Sequence, residues 1–217
     1  MIFVNFKAYK QGSGASAVHL AEACIAVEQK TKVKIIPIVQ AVDIYKLNLL
    51  GFEVFAQHID AIENGAHTGL ISAKSVRLAG AKGTVLNHSE RPLALEEIKK
   101  TISLAKKEGL KTLICTETIK KAEEIEKFNP DFIAYEPSEL IGNQDISVSR
   151  AKPEVIKTFT DKIKTPVLVG AGIHSKEDVE VALKLGAKGI LTATDVVLAE
   201  NPEKQLLDLA QGFLKHE

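Results

Sequence analysis

Tryptophan is absent from this chain of 217 residues, methionine appears once, cysteine twice, and aromatic residues make up only 5%. Two cysteines, Cys24 in a helix-like segment and Cys115 in a strand-like one, are too few for a disulfide framework at this length. A reduced, cytoplasmic setting is the expectation. An excess of charge of either sign is also missing, since 28 basic residues offset 28 acidic ones. That balance offers neither the basic field nucleic acid requires nor a polybasic membrane anchor. Long apolar runs are lacking too. The opening MIFVNFKAYK breaks at Asn5, too soon for a signal peptide or a membrane span. The six histidines show no ligand-like spacing with cysteine or carboxylate, so no metal is expected.

What is present is ordinary in bulk, 45% hydrophobic and 26% charged, in a chain long enough to bury one sizeable core. Short β-rich runs recur evenly: IFVNF (2–6), KIIPIV (34–39), EVFAQH (53–58), GTVLNH (83–88), TLICT (112–116), FIAYE (132–136), PVLVGA (166–171) and GILTA (189–193). Most are continuously apolar, which suits strands covered on both faces in a parallel sheet.

Helical spacing fills the intervals. Residues 14–30 put Ala17, Leu20, Ala21, Cys24 and Ile25 on one face, and 93–108 do the same with Leu95, Ile98, Ile102 and Ala105, stopped by Gly109. Residues 153–163 use Val155, Ile156, Phe159 and Ile163. Ser175-Lys-Glu-Asp178 reads as a capping box, and Asn201-Pro202 as the start of a last helix burying Leu206, Leu209, Ala210, Phe213 and Leu214. The helices after the second and third strands are expected to be short.

Eight β–α units in 217 residues average about 27 residues each, close to the minimum for a (β/α)8 barrel. An open doubly wound sheet would carry a GxGxxG turn after strand one, where this chain has Asn5-Phe6-Lys7. With no linker or composition shift, residues 1–217 are expected to form one barrel.

In such a barrel chemistry gathers where strands end. Strand one ends at Asn5 and Lys7, strand four at His88 and Glu90, strand six at Glu136, strand seven at Gly170-Ala171-Gly172 and strand eight at Ala193-Thr194-Asp195. A cation, an imidazole and a carboxylate would thus share one mouth, beside small residues whose N–H groups can cradle an anion. That set suits a small phosphorylated carbonyl compound. The carboxylate would remove a proton beside the carbonyl, the imidazole would polarise the oxygen, and the cation would offset enolate charge. Singly, each has a plainer reading: a solvated lysine, a hydrogen-bonded structural histidine, a tight turn. Glu136 resists it most, because a carboxylate closing an apolar strand is costly unless solvated or paired.

The motifs NFK (5–7), FAQHID (55–60), AHTG (66–69), LNHSE (86–90), AYEPSELIG (134–142), SRAKPEVI (149–156) and GAGI (170–173), in this order over nearly the whole chain, resemble triosephosphate isomerase in its short archaeal form. The resemblance implies a TIM barrel that interconverts dihydroxyacetone phosphate and D-glyceraldehyde 3-phosphate without a cofactor, in glycolysis and gluconeogenesis. It matches Glu136 to the catalytic base, His88 to the neutral electrophile, Lys7 to the stabilising cation, Asn5 to its substrate-contacting neighbour and Glu90 to a supporting carboxylate. Ile141, Gly142, Gly172, Ala193 and Thr194 match the backbone phosphate cradle, and Pro137 with Ser138 to Gln144 match a hinged lid. The loop His67-Thr68-Gly69 matches one that enters a neighbouring subunit's site, which implies a homo-oligomer, dimer or tetramer.

Two positions depart from that pattern. Asn143-Gln144 stands where a glycine usually follows, and Asp195 replaces a glycine beside the cradle. A carboxylate there is expected to weaken phosphate binding unless it points away or caps the next turn. Another sugar-phosphate isomerase or epimerase, or an idle phosphometabolite-binding barrel, are the alternatives.

Overall fold

The computed structural model describes residues 1–136 and 153–214. Eight parallel strands close on themselves in chain order: β1 (Ile2–Asn5), β2 (Ile35–Val39), β3 (Phe55–Ala56), β4 (Gly83–Leu86), β5 (Lys111–Thr116), β6 (Phe132–Tyr135), β7 (Val167–Val169) and β8 (Gly189–Thr192), with β8 pairing back to β1. This is the (β/α)8 architecture expected from the repeat, and the alternation of side chains divides its apolar residues into two cores. One fills the barrel, with Phe3, Ile38, Phe55, Val85, Leu113 and Leu168 among its members. Phe3 meets the Phe55 ring edge-on at 5.2 Å. Neighbours one step along each strand, such as Ile2, Val4, Ile114 and Ile133, turn outward to the helices.

β3 is much shorter than the run EVFAQH suggests, and Pro37 supplies the reason for its late start. Phe6 N–H donates to Ile38 O on the β1 side of β2, while Gln57 N–H donates to Val39 O on the β3 side. Alternation therefore turns Pro37 toward β3, where its missing N–H can serve no ladder bond. Pairing with β3 begins only at Ile38↔Phe55.

The described helices are α1 (Gly14–Thr31), α2 (Ala41–Leu49), α3 (Ala73–Leu78), α4 (Leu95–Lys107), α5 (Ile119–Glu126), α6 (Pro153–Lys162), α7 (Lys176–Lys184), α8 (Thr194–Val197) and α9 (Pro202–Leu214). The capping box at α7 forms between Ser175 and Asp178, and Asn201 Oδ1 accepts from Lys204 N–H at the head of α9. Leu206, Leu209 and Ala210 are buried as expected, but Leu214 is exposed. Helix α9 packs tightly on α7 at Gly212, where a Cβ would lie 2.6 Å from Lys176 O, and Leu214 falls beyond that contact. Among the described residues no helix is long and apolar enough to cross a membrane.

Candidate active site

Three side chains from separate strand ends converge at one mouth of the barrel. Lys7 follows β1 through a left-handed backbone turn, φ 49°, that a lysine adopts only with support. Its N–H donates to Asn5 Oδ1 at 3.0 Å, and its carbonyl accepts from Gln57 Nε2 at 2.8 Å. The ammonium then reaches Glu90 Oε1 at 2.9 Å.

His88 is placed by its neighbour. Asn87 takes φ 56°, donates its amide to Cys115 O at 2.7 Å and accepts Leu93 N–H at 2.9 Å, which fixes the turn after β4. His88 Nδ1 accepts the N–H of Glu90 at 3.1 Å, so the proton of the neutral ring is assigned to Nε2. Burial lowers the His88 pKa, Lys7 adds to that and Glu90 opposes it. The Glu90 carboxylate spans the two groups, with Oε1 on Lys7 and Oε2 3.6 Å from His88 Nδ1.

Glu136 stands just past β6, where its N–H donates to Thr116 O. It is 5% exposed, and burial pushes its pKa up to about 7, with the Cys115 thiol and Lys7 holding it down and Glu90 adding to the rise. Oε1 lies 3.7 Å from His88 Nε2, too far for a hydrogen bond, and Oε2 is buried with no hydrogen-bond partner among the described residues. The acid, held by the Cys115 thiol, thus keeps one oxygen without a partner and faces an imidazole N–H across a gap. Gly170 makes that placement possible, since a Cβ there would sit 2.6 Å from Glu136 Cγ. A cavity of about 300 Å³ is lined by Glu136, Asn87 and Thr116, and one of about 310 Å³ by Lys7, His88, Asn5 and Arg91.

At the β7 and β8 ends, Gly172 adopts φ 61°, a conformation costly for residues with a Cβ. Ala193 precedes α8, whose first residue Thr194 shares a hydrogen bond between its Oγ1 and Tyr9 OH at 3.2 Å, tying this turn to the β1 loop. The Asp195 carboxylate turns onto His174, Oδ2 to Nδ1 3.0 Å. Thr68 stands apart in an exposed loop. Ile141, Gly142, the lid run from Pro137 to Gln144 and the departure at Asn143-Gln144 lie outside the described residues.

Sequence reading missed Cys115 and Tyr9 as parts of this neighbourhood; Gly170 is readable only as a strand-end turn, and His174 as a neighbour of the phosphate turn without a role. Inward alternation on β5 could have placed Cys115 beneath the mouth. Nothing in the spacing links Tyr9 to Thr194 or His174 to Asp195.

A family model described as triosephosphate isomerase matches residues 1–212. The triosephosphate isomerase of Methanobacterium bryantii is 41% identical over 215 residues, covering 96% of this chain and 95% of that protein. That of Methanothermus fervidus is 40% identical with 96% of each chain covered, and that of Saccharolobus solfataricus is 40% identical over 99% of this chain and 96% of its own. A crystal structure of triosephosphate isomerase from Bartonella henselae superimposes with a TM-score of 0.76 over 98% of both chains, and at 20% identity it speaks for the fold alone.

Proposed function

The chain belongs to the triosephosphate isomerase family, and on that premise we propose how its residues divide the work of interconverting dihydroxyacetone phosphate and D-glyceraldehyde 3-phosphate. The reaction is an aldose–ketose isomerisation, a step of glycolysis and gluconeogenesis. Glu136 removes a proton from the carbon beside the carbonyl and returns it to the adjacent carbon. A base with its pKa near 7 is ionised often enough to accept that proton and acidic enough to give it back.

His88, neutral, donates Nε2–H to the substrate oxygens as the enediolate forms. The Glu90 N–H bond to Nδ1 favours this tautomer. A glutamate base beside a neutral imidazole is the pairing for which this family is a standard example. In this chain burial is the main cause of both shifts. Lys7 offsets the charge of the enediolate and phosphate, with Asn5 holding its backbone turn and Glu90 steadying its ammonium. Gly172, Ala193 and Thr194, together with Ile141 and Gly142, offer N–H groups to the phosphate.

The observation that carries this reading is the 3.7 Å approach of His88 Nε2 to the buried Glu136 carboxylate, whose Oε2 has no hydrogen-bond partner among the described residues. The test is isomerisation of glyceraldehyde 3-phosphate by the purified protein in a coupled assay, with turnover lost in Glu136→Gln. Wild-type protein that binds substrate and turns nothing over would defeat the proposal.

The protein works as a homo-oligomer. The exposed loop His67-Thr68-Gly69 reaches the partner's cavity beside Asn5 and Lys7, and exposed Val42 and Tyr45 on α2 and Leu70 in the loop favour such a contact. A fully active monomer at micromolar concentration by light scattering would refute this. The cytoplasm, where the buried unpaired cysteines stay reduced, is the proposed location.

A further inference from the structure

We propose that His174 is a positioning residue for phosphate affinity: it holds the Asp195 carboxylate toward the start of α7 and keeps that charge off the anion bound by Ala193 and Thr194. The inference rests on the reading of that turn as part of the phosphate cradle. Asp195 directly follows Thr194 in the first turn of α8, with about a quarter of its side chain exposed (28%). A loose carboxylate at this point would repel a phosphate dianion and compete for the N–H groups meant to receive it.

His174 prevents both. Its Nδ1 lies 3.0 Å from Asp195 Oδ2, while Nε2 is buried and has no hydrogen-bond partner among the described residues. The ring is therefore committed to Asp195 through Nδ1–H. Its backbone is fixed from behind at both ends, with the N–H donating to Asp178 Oδ2 and the carbonyl accepting from Gln205 Nε2. Asp178 belongs to the capping box of α7 and Gln205 to α9, so two helices outside the cradle set where the imidazole stands. The contact crosses from the turn after β7, two residues past Gly172, to the turn after β8. A mere partly exposed ion pair would contribute little stability and leave substrate affinity alone.

Michaelis constants for glyceraldehyde 3-phosphate and calorimetric dissociation constants for inorganic phosphate, measured on the full chain, separate the two roles. His174→Ala should raise both constants about tenfold while kcat stays within about twofold, because the freed carboxylate opposes phosphate in ground and transition states alike. His174→Asn, whose amide N–H can take the place of Nδ1–H, should restore most of the affinity. In an Asp195→Asn background, His174→Ala should cost nothing. An unchanged KM in His174→Ala, an equal loss in the Asp195→Asn background, or a fall in kcat alone would overturn the proposal. Asp195→Asn on its own guards against a His174 variant that fails to fold. With the histidine in place, removing the charge should move KM by less than about threefold, and a tenfold drop would mean the native carboxylate already bears on the phosphate. If wild-type protein proves catalytically silent, the isomerase reading fails, and the phosphate constants still decide this one.

Discussion

Glu136→Gln keeps the shape of the side chain and deletes its ionisation, so it isolates what burying this carboxylate costs the fold. The pKa rises from 4.5 to about 7 on folding. At 1.36 kcal/mol per pH unit, that displacement corresponds to a destabilisation of roughly 3 kcal/mol once the group is fully ionised. The sign follows from proton affinity: the folded state binds this proton more tightly than the unfolded one. Below the unfolded value of 4.5 both states are protonated and the group costs nothing. As the pH climbs from 4.5 to about 7 the cost grows, and above that it is complete.

The glutamine variant should therefore be more stable than wild type by about 3 kcal/mol near pH 8, equivalent to roughly 6–12 °C in Tm, and nearly equal to it near pH 4.5. Urea denaturation of both proteins at the two pH values reads this directly, at one fixed protein concentration so that any subunit association cancels. Groups that titrate identically in both proteins drop out of the difference. A variant no more stable than wild type near pH 8, or a gain of equal size at both pH values, would refute the reasoning. The same variant should be inactive, so the carboxylate is a place where stability is given up for chemistry.

The kcat/KM of wild type should rise with pH through about 7 as Glu136 ionises in the free enzyme, and a flat profile between pH 5 and about 8 would contradict the raised pKa. Gly170→Ala should lower kcat about 100-fold with little change in KM, because its Cβ displaces Glu136 Cγ and spoils the aim of the base; kinetics at saturating substrate measure it, and unaltered kcat would show the site can accommodate the methyl. Thr68→Arg should dissociate the oligomer and reduce kcat/KM at least about tenfold, read by light scattering and assay on the same sample.

Much of this was legible in the sequence because it follows from local rules. Continuously apolar runs at even intervals predict a doubly covered parallel barrel, and Glu136 announced itself as a charge at the end of such a run. The capping residues Ser175 and Asn201 were readable for the same reason, since a cap needs only its own next turn. What escaped depended on distances between segments. Pro37 shortens β3 through the side of the strand it faces, which only the pairing register shows. Gly170 reads only as a tight turn until Glu136 Cγ is found beside it. Asp195 looked like a liability because its partner, 21 residues earlier, was out of view.

The two-residue strand β3 leaves the cylinder unevenly fastened. Its registered pairs number two with β2 and two with β4, against four between β1 and β2 and four between β5 and β6. Deuterium should enter the amides along this stave sooner than those of β5 and β6. Just above it, Gln57 grips the Lys7 carbonyl. A transient gap between these staves would thus slacken the ammonium's footing first, while Glu136, anchored across the barrel, kept its place.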